Sequence, residues 1–151
     1  MRLYLDVSCL NRPFDDQRQT RVRLEAEAVT EIMARADLTG DTILSSEIVL
    51  AEIDAMPDQE RRRRVLALLP PPAQTPELSP GEFARADALY RLGFKPADAL
   101  HVAAAEGLRA DVLLSCDDRM CRTAARNVRR LLVRVLNPLE WLREQSDAPN
   151  P

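Results

Sequence analysis

The sequence predicts an α/β fold, with a central parallel sheet of about four to five short strands covered by helices on both faces, three layers in all. Two observations predict it. Short apolar runs alternate with longer segments of helical periodicity, and Gly, Pro or Ser stands at most of the junctions between them. The length of 151 residues suits one domain, and a hydrophobic content of 46% supplies a core. Aromatic residues make up only 4%, so that core must be built from Leu, Ala, Val and Ile.

The first strand is RLYLD, Arg2 to Asp6, and the loop NRPFDD, Asn11 to Asp16, follows. A helix over Thr20 to Asp37 carries an apolar stripe of Val22, Leu24, Ala28, Val29, Ile32, Met33 and Ala36, and Gly40 stops it. Thr42 to Leu44 is the second strand, and Ser45 or Ser46 caps the helix SEIVLAEIDA. Further helices follow in PDQERRRRVLALL, in EFARADALYRL capped by Ser79, and in PADALHVAAAEGL with Pro96 in its first turn. Asp111 to Ser115 is the third strand, DDRMCRTAARN the next helix and Leu131 to Leu136 the fourth strand. Asn137 to Glu144 adds a last helical turn or two. The domain is assigned to residues 1–144, and 145–151 to a flexible tail.

The balance of 21 basic against 24 acidic residues, net −3, argues against a general basic coat for nucleic acid but leaves room for local patches. Three cysteines, Cys9, Cys116 and Cys121, form neither a CxxC pair nor a disulfide framework, so a reduced, cytoplasmic setting is expected. No apolar run is long enough to span a bilayer, and no membrane partner is expected.

The acids carry the chemistry. Asp6 closes the first strand and Asp117 follows the third, and ligand sites of parallel sheets lie at such strand ends. Asp98 stands in the first turn of a helix that is otherwise apolar, and Glu52 stands mid-helix within VLAEI. Carboxylates gathered in one cleft raise one another's pKa, and a hard divalent cation, Mg²⁺ or Mn²⁺, removes that penalty. Each acid also has a structural alternative. Asp98 suits a helix N-terminus, Asp117 suits an N-cap, and Glu52 suits a solvated face. Asp6, between Leu5 and Val7, is the hardest to account for without a partner.

Four segments in order, LYLDVSCLN, SSEIVLAEI, KPADALHVAAA and LLSCDDRM, resemble the PIN-domain family over Arg2 to about Leu136. The opening LDVSCLNRPFDD is similar to a stand-alone subgroup with an Asn-Arg-Pro-Phe loop. The resemblance implies a Mg²⁺- or Mn²⁺-dependent endoribonuclease with Asp6, Glu52, Asp98 and Asp117 as its acidic, metal-holding set. It matches Ser8 and Ser115 to supporting hydroxyl positions, and leaves Asp118 as a neighbour able to assist or replace Asp117. It also implies an RNA substrate and, as in many VapC-type relatives, a toxin held by an antitoxin protein. A homodimer is a further implied partner. The alternative is a PIN fold that binds RNA or protein without cutting. A haloacid-dehalogenase-type phosphatase needs an Asp-x-Asp after its first strand, whereas this chain has Asp6-Val7-Ser8.

His101, the only histidine, lies one turn beyond Asp98 and is read as a structural hydrogen-bonding residue rather than a base. The run Arg61 to Arg64 is read as a solvated helix face. Arg119, Arg122 and Arg126, at helical spacing beside the acids, form a candidate basic ridge for an RNA backbone, and Arg12 is a further candidate phosphate contact.

Overall fold

In the computed structural model, residues 1–148 are described. Four parallel strands form one sheet in the order β2-β1-β3-β4: β1 Arg2–Leu5, β2 Thr42–Leu44, β3 Val112–Leu114 and β4 Arg134–Leu136. Among the described residues, eight α-helices flank it in a three-layer α/β/α arrangement: α1 Val7–Asn11, α2 Thr20–Thr39, α3 Glu47–Asp54, α4 Gln59–Leu66, α5 Pro80–Arg91, α6 Pro96–Gly107, α7 Asp118–Arg126 and α8 Pro138–Asp147. Burial on both faces explains the unbroken apolar strands. Leu3, Tyr4 and Leu5 of β1 and Val112, Leu113 and Leu114 of β3 are all buried. The register pairs Tyr4 with Leu44 on one side and with Leu113 on the other.

From β1 the chain moves outward to β2. It then returns across the sheet to β3 and continues to β4 on the opposite side. The carboxyl ends of β1 and β3 therefore flank the point where the winding direction reverses, the usual ligand crevice of an open parallel sheet. Helix α6 lies against this centre through Ala99, Val102, Ala103 and Ala105, whose small side chains allow close approach, and α5 packs along α6.

Local signals explain most boundaries. Gly40 adopts φ +76 and ends α2. Ser79 and Glu82 form a reciprocal capping box at the start of α5. The structure differs from expectation at four places. The segment after β1 is not simply loop: Val7–Asn11 is a short helix capped by Asp6, followed by a 3-10 turn over Arg12–Phe14. The fourth strand begins at Arg134 rather than Leu131, because the Leu132 N–H donates to the Glu106 carboxylate (2.9 Å) instead of a strand partner. Helix α8 runs to Asp147, so residues 145–147 of the expected flexible tail are helical, and 149–151 lie outside the described residues. The start of α8 is held by Pro138 in the first turn and by the Asn137 side chain, which accepts from Leu139 N–H. Finally, the arginine run is not uniformly solvated. Arg61 reaches Asp15 (2.9 Å) and the Phe14 carbonyl and so pins the 3-10 turn, while Arg63 and Arg64 pair with Glu60.

One charged residue lies fully inside. Glu25 of α2 is 0% exposed, with Arg12 Nε at 3.2 Å, Arg21 Nε at 3.5 Å and the Asn137 amide donating to it at 2.5 Å. This knot ties the 3-10 turn, α2 and the start of α8 together, and it satisfies a carboxylate that would otherwise be too costly to bury.

Candidate active site

Asp6 and Asp117 lie beyond the carboxyl ends of two neighbouring strands, Asp6 directly after Leu5 and Asp117 three residues after Leu114. Each follows its strand and caps the helix beyond. Asp6 Oδ1 accepts from Cys9 N–H at 3.0 Å, and Asp117 Oδ1 accepts from Arg119 N–H at 2.9 Å and Met120 N–H at 3.2 Å. Two serines join these turns. Ser8 Oγ donates to Asp6 Oδ1 (2.5 Å) and accepts from Cys116 N–H (2.9 Å); Ser115 Oγ accepts from Asp117 N–H (3.1 Å) and lies 3.4 Å from Ser8 Oγ. The clamp fixes one oxygen of each aspartate. The second oxygens, Asp6 Oδ2 and Asp117 Oδ2, have no protein partner among the described residues.

Asp98 comes from the first turn of α6. Its carboxyl is pushed up to about 6, first by burial, then by the negative charge of Asp117 and then of Asp6, with His101 and Lys95 opposing. The structure therefore brings Asp6, Asp98 and Asp117 within reach of one another's charge, although they come from three separate elements.

Glu52 on α3 is half-buried, with Oε1 hydrogen-bonded at 2.6 Å to Nε2 of His101, which follows Asp98 by three positions on α6. The other ring nitrogen, Nδ1, meets the Tyr4 hydroxyl at 2.8 Å, and that hydroxyl meets Ser46 Oγ at 2.7 Å. Tyr4 and His101 are buried and pack edge to face. Burial holds the Tyr4 phenol far above its ordinary pKa, so it remains a proton donor. Sequence reasoning found the histidine but not its partners.

Other expected residues stand apart. Asp118 points its carboxylate at Arg21 (2.6 Å), which holds it below the usual carboxylate range; it is spent on α2 rather than on Asp117. Arg12, expected to meet phosphate, instead pairs with Asp15 (3.0 Å) and the buried Glu25, because a charge buried in α2 needs its cation. Arg119, Arg122 and Arg126 are exposed on α7, and none is in an ion pair among the described residues. Cys9 and Cys116 sit buried behind the acids with sulfurs 3.7 Å apart, and burial pushes the Cys9 thiol up.

The donor set suits a hard divalent cation: carboxylate oxygens only, with spare lone pairs on Asp6 and Asp117 and mutual repulsion at Asp98 that a cation would relieve. The side chains do not form a closed cage as they stand. Among the described residues, no group of three or more His, Cys, Asp or Glu side chains is drawn together closely enough to hold a metal ion.

A comparison with protein families matches residues 3–126 to the PIN domain. No curated protein matches the chain. Among the described residues no helix is long and apolar enough to cross a membrane.

Proposed function

Because the chain belongs to the PIN-domain family, whose members are in general nucleases, we propose that it is a Mg²⁺- or Mn²⁺-dependent endoribonuclease that hydrolyses RNA phosphodiester bonds. The observation that supports this reading is the convergence of Asp6, Asp98 and Asp117 at the point where the sheet reverses its winding. Asp6, Asp98 and Asp117 would hold the cation, with Glu52 completing the acidic set. A bound divalent ion polarises a phosphoryl oxygen and lowers the pKa of water in this class of chemistry. The chain's own contribution is positional. Backbone amides and Ser8 fix one oxygen of Asp6 and of Asp117, and Ser115 fixes the Asp117 loop. The Arg119, Arg122 and Arg126 ridge, beginning two residues beyond Asp117, would draw the RNA backbone toward the acids.

The finer assignment, the toxin of a toxin–antitoxin pair, rests on the VapC-like resemblance. An antitoxin protein and a homodimer are the partners it brings, in the cytoplasm. A second reading has one observation in its favour, the lack of a ready-made cage among the described residues. It makes the chain a PIN-fold module that binds RNA or protein without cutting.

One experiment separates them. Purified protein is incubated with RNA and Mn²⁺, with EDTA, and as the Asp6→Asn variant, and Mn²⁺ binding is followed by calorimetry. Cleavage that needs Mn²⁺ and falls at least roughly 100-fold in Asp6→Asn is expected for the nuclease. No Mn²⁺ affinity together with no cleavage establishes the module instead.

A further inference from the structure

The chain Ser46–Tyr4–His101–Glu52 has features that packing alone does not require. Its contacts are 2.7, 2.8 and 2.6 Å long, and they join β1, the start of α3, the middle of α6 and the exposed side of α3. Tyr4 is 0% exposed, Ser46 1% and His101 3%, whereas the Glu52 side chain at the end is 34% exposed. Four polar groups could be replaced at this spot by apolar ones of similar shape with no unmet hydrogen bond. A buried polar chain is favourable only when every member is satisfied, and this one is. Ser46 shows the diversion directly. It holds the N-cap position of α3 in extended backbone, yet its hydroxyl makes no capping bond and goes to Tyr4.

The direction of the protons follows from the two ends. A carboxylate only accepts, so His101 Nε2 carries the hydrogen toward Glu52. With a neutral imidazole, Nδ1 is then the acceptor, and the Tyr4 hydroxyl donates to it. The tyrosine oxygen in turn accepts from Ser46. The chain therefore presents one donor, at a fixed place, to Glu52 Oε1, and leaves Oε2 without a protein partner among the described residues.

We infer that His101 is a positioning residue that holds the Glu52 carboxylate in one orientation at the acidic site, and that Tyr4 and Ser46 set the tautomer with which it does so. This rests on the metal-nuclease reading above. His101 touches neither RNA nor the reacting phosphate; it acts through Glu52, as outer partners of metal-site carboxylates do.

The test uses the intact protein. Because His101 is the only histidine, long-range ¹H–¹⁵N spectra report this ring alone. A hydrogen on Nε2 is expected, with the Nδ1 resonance moving in Tyr4→Phe; a ring carrying its only proton on Nδ1 overturns the inference. Mn²⁺ affinity is then measured by calorimetry for the parent, Tyr4→Phe and His101→Gln, each alone and combined with Glu52→Gln. Losses of roughly 10- to 100-fold in the parent background, absent once Glu52 is changed, are expected. Equal losses in both backgrounds mean a purely structural role and overturn the inference. Tyr4→Phe removes a single oxygen, so it serves as the arm that keeps its fold if His101→Gln does not. A parent that binds no Mn²⁺ refutes the metal reading, and the inference with it. A parent that binds Mn²⁺ with unchanged variants refutes the inference alone.

Discussion

Replacing Asp98 with Asn should stabilise the metal-free protein at neutral pH while abolishing cleavage. In the folded chain the Asp98 carboxyl is pushed up from 3.8 to about 6 by burial and by Asp117 and Asp6. For an acid raised in this way, the folded state binds more protons than the unfolded state between those two values. Stability is therefore highest below the lower value and is lost as pH rises through the upper one. Without solvent screening the loss is about 3 kcal/mol at pH above about 7. Asp98 is only partly buried, so screening reduces this to about 1.5–2 kcal/mol. Asn also forgoes the favourable charge in the first turn of α6, about 0.5 kcal/mol. A net gain of about 1 kcal/mol remains. Urea unfolding in EDTA at pH about 7.5 and again at about 4 measures it, and most of the gain should vanish at the lower pH. Mn²⁺ should then stabilise the parent more than the variant. An Asn variant no more stable than the parent at pH about 7.5, or equally stabilised at both pH values, would show that Asp98 does not bear the repulsion assigned to it.

Three further outcomes are expected. Glu25→Leu should cost about 3 kcal/mol in urea unfolding, because Arg12 loses its buried partner and Asn137 its acceptor; a change within about 0.5 kcal/mol would refute the knot as a stabilising element. Changing Arg119, Arg122 and Arg126 together to Ala should weaken binding of single-stranded RNA and flatten its salt dependence by about 2 in the log–log slope. An unchanged slope in a filter-binding series would remove the ridge from the substrate path. Gly93 stands at φ +109, and a Cβ there would meet only Thr123 Cγ2 at 3.8 Å. Gly93→Ala should therefore cost about 1–3 kcal/mol through backbone strain alone, as read by thermal unfolding.

Much of the fold could be read directly because its signals are local. Gly40, Ser79 and Pro96 mark helix ends by conformation and capping, and the unbroken apolar runs LYL and VLL mark strands buried on both sides. Asp6 was conspicuous as an acid wedged between apolar neighbours. What remained hidden depends on partners far along the chain. Glu25 looks like an ordinary outward residue of α2 until Asn137, 112 positions away, is folded against it. Arg12 looks free for phosphate until that same carboxylate claims it. His101 joins residues 49 and 97 positions distant, and no periodicity in α6 encodes such a meeting. Leu131 and Leu132 read as strand because nothing local announces that Glu106 will take a backbone N–H there.

The serine clamp also bears on when the protein can act during its own synthesis. Ser8 and Ser115 are 107 positions apart, and β3 can align beside β1 only after the intervening helices have formed and folded back. Contacts this distant are slow to close. A ribosome-bound chain stopped before β3 has Asp6 but lacks Asp117 altogether. Any phosphodiester-cleaving capacity would therefore await the emergence of the segment around Asp117 and its folding back beside β1.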